Sequence, residues 1–329
     1  MKRRFFALTL TALLSISLLA GCGSKTDDTA PAEPSAKTEE PAAPTSDTKT
    51  IAIVPKTLNN PFFVAMVDSL KAECEARGWT VKVNAADAET EVDKQISIVE
   101  AFVEEGVDAI VLGPCTRTAT VDTINNAAAK GVGVFLIDSG SDEADFQSFI
   151  GTDNYVGGQL GAQWIGENVK GKVAILDGYS GNDATTQRQK GFMDKIAEYP
   201  DVEVVASEYA NCEISKGMEV TENFLVAYPD LAGIFTVNDM MAIGAGQAVE
   251  AAGMRDQVTI CGFDGQPDAA QAIINGTIDA TIAQKPATMG VLMAQTLESY
   301  FNGASFEASV DTGCDVVTSE NAETYLNWQ

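Results

Sequence analysis

The feature that most constrains this chain is a regular alternation of short apolar runs with amphipathic stretches, which begins at Thr50. Runs such as TIAIV at 50–54 and AIVL at 109–112 have the length and β-branched content of buried parallel strands. The stretches that follow carry apolar residues at helical spacing, and Gly78, Gly106 and Gly131 end the first three of them. The alternation therefore predicts an α/β fold built on parallel sheets.

The alternation falls into two cycles, which predict two doubly wound parallel-sheet lobes side by side. In the first cycle the predicted strands are 50–54, 80–84, 109–112 and 134–137, and the predicted helices begin at Pro61 and span 92–105 and 119–130. The second cycle has predicted strands at 173–176, 202–207, 233–236, 258–261 and 280–283, with helices at 155–168, 185–198, 215–227, 240–252, 267–275 and 286–301. Ligands of such sheets bind beyond the carboxyl ends of the strands, so the residues after each strand are the candidates for function.

The N-terminus has the pattern of an export signal. Three basic residues at 2–4 precede an apolar stretch at 5–19, and Leu-Ala-Gly then leads into Cys22. This arrangement resembles the lipobox of bacterial lipoproteins, so residues 1–21 are predicted to be a signal peptide and Cys22 to be lipidated; an ordinary secretory signal with a stray cysteine is the alternative. Residues 22–49 are rich in Ala, Pro, Thr, Ser and acidic residues, which predicts an extended tether. The folded part is then expected at the outer face of the cell membrane, held there by lipid alone.

Composition excludes several classes of function. The formal charge is −26, from 47 acidic against 21 basic residues, and a chain so anionic repels nucleic-acid phosphates. Histidine is absent, which removes the most common general base and a common metal ligand, so we expect neither catalytic residues nor a metal or cofactor. An odd number of cysteines follows Cys22, and their pairing is left open: Cys74, Cys115, Cys212, Cys261 and Cys314.

Polar and aromatic residues gather directly after the predicted strands. Carboxylates and carboxamides can pair with the hydroxyls of a sugar, while an aromatic ring can pack on the face of C–H bonds that a sugar presents. Phe62 is expected to fall off the apolar stripe of its helix and to form such an aromatic wall, whereas Phe63 is as consistent with the core as with the ligand. A lysine and an arginine candidate complete a set that predicts a polyol-binding cleft: Lys56, Asn60, Phe62, Phe63, Asp138, Arg188, Asn238, Asp264 and Gln284.

Five motifs, in this order, resemble the ribose- and allose-binding proteins, which are type I periplasmic binding proteins of ABC transporters. They are KTLNNPFF at 56–63, GTDN at 151–154, NDMMAIGA at 238–245, GFDGQPD at 262–268 and ATIAQ at 280–284. The likeness covers essentially the whole chain from Thr50 onward. It implies a three-stranded hinge with crossings near 151–152, 284–286 and 311–313, so that 50–151 with 286–310 form the first lobe and 152–283 with 314–329 the second.

The resemblance also implies ligand contacts, residue by residue. Asn60, Phe62 and Phe63 match the first-lobe sugar contacts, and Lys56 matches a lysine of the allose-type members. The remaining matches are Asp138, Arg188, Asn238, Phe263, Asp264 and Gln284. Two departures disfavour ribose itself. Ser139 stands where the ribose binders have arginine, and the position of the family's second-lobe aromatic residue, which stacks on the sugar, falls near Cys212 in this sequence.

The function implied is capture of a neutral monosaccharide, an allose- or ribose-like aldose, and its delivery as a monomer to the permease of an ABC importer. One lysine, one arginine and two aspartates sum to zero charge, which suits an uncharged ligand. A sugar sensor that presents its closed state to a signalling receptor is the alternative. A sugar-processing enzyme would need Asp138 and Asp264 as a paired acid and base, and both are already explained as hydroxyl acceptors.

Overall fold

The computed structural model describes residues 48–328. Cys22, the predicted signal peptide and all but the last two residues of the predicted tether lie outside the described residues. Within residues 48–328, no helix is long and apolar enough to cross a bilayer.

Strands and helices alternate along the described chain as the sequence predicts. The strands are β1 (Thr50–Val54), β2 (Thr80–Val83), β3 (Ala109–Leu112), β4 (Gly133–Ile137), β5 (Phe149–Gly151), β6 (Gly171–Asp177), β7 (Val202–Tyr209), β8 (Leu231–Thr236), β9 (Thr259–Asp264), β10 (Ala280–Ala283), β11 (Ser309–Asp311) and β12 (Asp315–Thr318). The α-helices are α1 (Pro61–Ala76), α2 (Val92–Glu105), α3 (Val121–Ala129), α4 (Asn154–Asn168), α5 (Asp183–Ile196), α6 (Ile214–Ala227), α7 (Asp239–Ala251), α8 (Pro267–Asn275) and α9 (Pro286–Phe301).

The strands form two six-stranded sheets, one in each lobe. The first has the order β11-β5-β4-β3-β1-β2 and is parallel throughout. The second has the order β12-β10-β9-β8-β6-β7, and only its edge strand β12 runs antiparallel. The chain passes between the sheets after β5, after β10 and between β11 and β12, which makes a three-stranded connection. The predicted fold class is confirmed.

Three short strands, β5, β11 and β12, have no counterpart among the predicted strands. Each has three or four residues, and none is an uninterrupted run of four apolar residues like AIVL of β3. They exist because neighbouring strands from distant parts of the chain supply their hydrogen-bond partners: β11 pairs with β5 in the first sheet, and β12 pairs with β10 in the second. These strands flank the passages between the lobes.

Glycines allow two close helix contacts that position the site. In the first lobe α1 packs on α9, where a Cβ on Gly290 would lie 2.6 Å from the backbone nitrogen of Leu70. In the second lobe α4 packs on α5, and a Cβ on Gly158 would collide with the backbone of Arg188. A side chain on the neighbouring Gly157 would collide with the ring of Phe263. The glycines of α4 thus determine where two predicted site residues lie.

The described end of the chain contacts both lobes, whereas residues 314–329 are expected to pack with the second lobe; Val317, Ala322 and Tyr325 pack on the apolar cluster of the second lobe. β12 does pair with β10 in the second sheet. The last described residue, Trp328, instead packs on the apolar cluster of the first lobe, with its ring 6.1 Å from that of Phe62. The physical reason is that the large indole ring buries apolar area against this cluster and packs edge-on against the ring of Phe62.

Candidate ligand-binding cleft between the lobes

The carboxyl ends of the two sheets face each other across the cleft, and the predicted site residues lie there. Asp138 directly follows β4, Asp264 is the last residue of β9, and Gln284 directly follows β10. Asp138 has φ = 67° and Asp264 has φ = 127°, which is left-handed backbone that residues other than glycine seldom adopt. Such strain is retained where the surrounding structure imposes it, and it is concentrated at functional sites.

Lys56 and Asp138 form a buried ion pair, which we call the first-lobe pair. Lys56 Nζ lies 2.9 Å from Asp138 Oδ2, and neither side chain is more than 3% exposed. Ser139 Oγ donates to the same carboxylate at 2.9 Å. Burial by itself lowers the pKa of Lys56, but the charges of Asp138 and Glu89 and the hydrogen bond to Asp138 outweigh it, so the pKa is raised and the lysine stays charged.

Arg188 and Asp264 form the second-lobe pair, with Nη1 3.1 Å from Oδ1. Arg188 Nε also donates to Asn154 Oδ1 at 2.8 Å, and its Nη1 donates to the carbonyl oxygen of Val237 at 2.8 Å. The guanidinium lies 3.9 Å from the centroid of the Phe263 ring, within the range of a cation–π contact. These contacts hold the arginine in one orientation.

Asp264 is held from two further sides. Gln284 Nε2 donates to its Oδ1 at 2.7 Å, and Gln266 Nε2 donates to its Oδ2 at 3.3 Å. Burial raises the pKa of Asp264, while the charge of Arg188 and the hydrogen bond from Gln284 oppose that rise. Phe263 and Gln284, two predicted ligand contacts, therefore support the second-lobe pair in this structure.

Three asparagines line the cleft as helix N-caps. Asn60 Oδ1 accepts from the backbone of Phe62 at the start of α1, and Asn238 Oδ1 accepts from the backbone of Met241 at the start of α7. Asn182, which the sequence reasoning missed, caps α5 in the same way through the backbone of Thr185. Because α5 and α7 each begin shortly after a strand, an asparagine at such a start was a signal that could have identified Asn182.

Both phenylalanines at the start of α1 belong to the core and to the cleft. Phe62 is only 1% exposed and packs edge-on against Phe63, with ring centroids 5.4 Å apart. The expectation that Phe62 falls off the apolar stripe was wrong, because Phe62, Met66 and Leu70 lie at spacings of four on the buried face. Lys56 Nζ lies over the ring of Phe63, 5.5 Å from its centroid.

One cavity, here the inner cavity, brings most of these residues together. Of the ten predicted contacts, eight line it: Lys56, Asn60, Phe62, Phe63, Asp138, Arg188, Asn238 and Asp264. Five other residues complete the lining: Glu89, Asn182, Ala184, Thr185 and Cys212. Glu89 follows β2 by a few residues, so the rule that sites lie after strands applied to it as well.

The lobes contact each other directly around this cavity. Lys56 Nζ donates to Asn182 Oδ1 at 3.4 Å, and Gln266 Nε2 donates to Asn60 Oδ1 at 3.2 Å, so each bond joins the two lobes. The inner cavity has a volume of about 20 Å³, enough for roughly one water molecule and much smaller than a sugar. A monosaccharide can enter only if the lobes separate and these side chains exchange partners.

Further contacts between the lobes lie at the rim of the cleft. Arg117 forms ion pairs with Asp142 of its own lobe and with Asp183 of the opposite lobe. Tyr179 donates its hydroxyl to the carbonyl oxygen of Cys115 at 2.8 Å, and the backbone nitrogen of Gly140 donates to Asp183 at 3.2 Å. We call these the rim contacts, and they stabilise the closed arrangement.

Two other features limit the chemistry of the cleft. In the part of the chain that the structure describes, no group of three or more Cys, Asp or Glu side chains is arranged to hold a metal ion. All five cysteines of the described range are free thiols, and burial raises the pKa of Cys115 to about 12, so that thiol is not a thiolate near neutral pH.

Comparisons with known proteins agree with this geometry. A family model described as a periplasmic binding protein domain matches residues 51–305, a range that includes every residue lining the inner cavity. The chain belongs to the periplasmic binding protein family. The predicted family is thereby confirmed.

Relatives of this periplasmic binding protein include proteins named for the import or the binding of a sugar. The ribose import binding protein of Bacillus subtilis is 32% identical over 316 residues, which cover 95% of this chain and 99% of the relative. The D-allose-binding periplasmic protein of Escherichia coli is 30% identical over 73% of this chain and 80% of its own length. Among solved structures, an ABC transporter solute binding protein from Actinobacillus succinogenes with bound D-allose has a TM-score of 0.79 and 31% identity, covering 84% of this chain and 100% of that one.

Proposed function

We propose that this protein captures a monosaccharide between its two lobes and delivers it to an ABC importer. The observation that carries the proposal is the inner cavity, where a buried ion pair from each lobe and capping asparagines from both lobes converge. Relatives named for ribose import and D-allose binding support it. The role we propose is binding, because each aspartate lies in a neutral ion pair whose remaining oxygen lone pairs can accept from sugar hydroxyls.

The ligand we propose is an aldose that carries no anionic group, and uncharged D-allose is its simplest representative. The first-lobe and second-lobe pairs each sum to zero charge, and a phosphate or carboxylate on the ligand would lie beside buried carboxylates at low dielectric. We further propose that D-allose binds better than D-ribose. Lys56 and Ser139, which both contact Asp138, are two of the residues by which this site departs from the ribose pattern.

Two buried polar atoms support the presence of a ligand in the inner cavity. Asn182 Nδ2 and Thr185 Oγ1 have no hydrogen-bond partner among the described residues, although both side chains are almost fully buried. Buried donors and acceptors are nearly always paired in folded proteins. Sugar hydroxyls, which both donate and accept, would satisfy these two atoms, so we add Asn182 and Thr185 to the proposed contacts.

Isothermal titration calorimetry with D-allose, D-ribose and D-allose 6-phosphate tests the proposal. We expect D-allose to bind most tightly and the phosphate most weakly. At a concentration of D-allose one hundred times its Kd, the sugar should also add about 2.7 kcal/mol to the free energy of unfolding. Tighter binding of the phosphosugar would overturn the assignment of a ligand without an anionic group, and no binding of any sugar would overturn the function.

We also propose that Cys22 carries the lipid anchor and that the monomeric protein works beside its permease at the outer face of the membrane. The replacement Cys22→Ser should abolish incorporation of a labelled fatty acid and leave the protein unprocessed or released from cells. The matched control is Cys314→Ser, which changes a thiol of the folded part and should leave labelling intact. Labelling that persists in Cys22→Ser would contradict the anchor.

A further inference from the structure

A second cavity adjoins the inner cavity. This outer cavity has a volume of about 150 Å³ and lies between the lobes, with Asp87 on its first-lobe wall and Glu213 on its second-lobe wall. It shares Asn60, Glu89 and Cys212 with the inner cavity, so the two cavities meet at these three side chains. A cavity of about this volume can hold a six-membered ring, so it has room for a substituent on a sugar bound in the inner cavity.

Glu89, at the junction, is a buried carboxylate without an ion-pair partner. The two cations of the inner cavity are already engaged in the first-lobe and second-lobe pairs. Glu89 is 8% exposed and forms no ion pair within 4.0 Å in the described range; its hydrogen-bond partner is the side chain of Asn60. Burying a carboxylate is costly unless a positive charge or a proton compensates it. The inner cavity therefore has one carboxylate more than its own cations balance.

The outer cavity adds to this negative field. Asp87 and Glu213 line it together with Glu89, and within residues 48–328 no lysine or arginine does. An anionic substituent that reached this cavity would be repelled, and a cationic one attracted. Glu89 lies in the same inner cavity as the unpartnered atoms of Asn182 and Thr185, so it belongs to a place where a ligand is already indicated.

We propose that Glu89 is a ligand-contacting residue that enables this cleft to bind cationic amino sugars, aldoses in which an ammonium group replaces one hydroxyl, with that group at the junction of the two cavities. The inference rests on the proposed function, because the cleft must first bind a sugar ring. An ammonium group would be the ion-pair partner that Glu89 lacks. Hydrogen bonds from an ammonium group to a carboxylate are about twice as strong as those between neutral groups.

The protonation of Glu89 is consistent with two ligand classes. Burial raises its pKa from 4.5 to about 7, with Lys56 opposing the rise and Asp138 and Asp264 adding to it. The protonated form can donate to a hydroxyl of a neutral aldose, whereas the ionised form accepts from an ammonium group. The same side chain thus accommodates both ligands near neutral pH.

Calorimetry at pH 7 with D-allose and its 2-amino-2-deoxy, 3-amino-3-deoxy and 6-amino-6-deoxy derivatives tests the inference. We expect at least one amino sugar to bind about tenfold more tightly than D-allose, because a hydrogen bond to a charged group is worth more than one between neutral groups. Glu89→Gln should remove that preference. Glu100→Gln is the matched control, since it removes the same charge from an exposed position on α2 and should preserve the preference.

A second comparison needs no variant and separates charge from size. The N-acetyl form of the preferred amino sugar fills the outer cavity but carries no charge, so the native protein should bind it more weakly than the amine. Equal binding of amine and N-acetyl form, or a preference that survives Glu89→Gln, would overturn the role of Glu89. If D-allose binds and no amine exceeds it, this inference alone fails; if none of the sugars binds, the proposed function fails.

Discussion

The two halves of the cleft present one ion pair each, but they hold it in different ways. In the second-lobe pair, Arg188 is fixed by Asn154, the backbone of Val237 and the ring of Phe263, all from its own lobe. In the first-lobe pair, Lys56 pairs with Asp138 of its own lobe, but it also donates a hydrogen bond to Asn182 of the opposite lobe. The second-lobe half is therefore complete without closure, and the first-lobe half is not.

Because of this difference, we expect the two lobes to contribute to different steps, the second lobe mainly to affinity and the first lobe mainly to closure. A preorganised set of donors and acceptors loses little conformational entropy when it binds, so we expect the second lobe to supply more of the affinity. The first lobe exchanges contacts when the lobes approach, so its side chains should contribute mainly through the closed state.

The largest effect is expected at Asp264. Asp264→Ala should weaken the binding of D-allose at least a hundredfold, because it leaves Arg188 buried without its carboxylate and removes an acceptor of two charge-assisted bonds. Asp138→Ala should cost less, about tenfold, because Lys56 retains Asn182 and the attraction of Glu89. Calorimetry measures both, with the exposed Asp268→Ala as control. Equal losses at the two aspartates would remove the distinction between the halves.

The second prediction concerns the free energy of unfolding and pH. The pKa of Glu89 is about 7 in the folded protein and 4.5 ordinarily, so between these values the folded state retains a proton that the unfolded state has lost. Its contribution to stability is fully present below about pH 4.5 and is lost as pH rises through 7. Relative to Glu89→Gln, the native protein should lose on the order of 3 kcal/mol between pH 4.5 and 8.

Urea unfolding of the two proteins at several pH values measures this difference, and a constant difference would contradict it. Burial also raises the pKa of Asp177 to about 6, and comparing the two proteins removes that shared contribution. The charged and titratable groups around Glu89, which must stay unchanged in the comparison, are Lys56, Asp87, Cys115, Asp138, Tyr179, Arg188, Cys212, Glu213 and Asp264.

The third prediction compares the aromatic supports of the two cations. Phe263→Leu should weaken the binding of D-allose about tenfold, because Arg188 lies 3.9 Å from the ring centroid and is buried there. Phe63→Leu should weaken the binding of D-allose about threefold by removing the cation–π contact with Lys56, which lies farther away, at 5.5 Å from that ring centroid. Thermal melting of each variant without sugar gives the loss of packing, which is compared with the loss of affinity from calorimetry. The reverse order of the two affinity losses would assign the greater support to the first lobe.

The smallest effect is expected at the rim contacts. Arg117→Ala removes the ion pair to Asp183 across the cleft and should weaken the binding of D-allose no more than about fivefold, because half-exposed pairs contribute little. Asp142→Ala removes only the pair within the lobe and serves as the control. In small-angle scattering, sugar should decrease the radius of gyration of the native protein. An unchanged radius of gyration at saturating sugar would contradict a closing hinge.

Local patterns predicted most of the residues of the cleft. The rule that function lies after parallel strands selected Asp138, Asp264 and Gln284, because strand ends can be recognised from short apolar runs. It also selected Phe62, which lines the inner cavity. The separate expectation that Phe62 falls off the apolar stripe of α1 was wrong, because Phe62 shares the buried face of that helix with Met66 and Leu70. Glu89 was missed because its loop looks like an ordinary polar connection until the fold places it beside Lys56.

The sequence alone determined the α/β alternation, the two lobes and the families of side chains at the strand ends. Those properties depend on interactions between near neighbours, which leave a periodic trace. Only the tertiary structure decided which groups each cation contacts: Arg188 meets the carboxylate of Asp264 across 76 residues, and Lys56 meets the side-chain amide of Asn182 across 126 residues. No local pattern encodes such pairings, because they exist only when two sheets bring their carboxyl ends together and bury the charges between them.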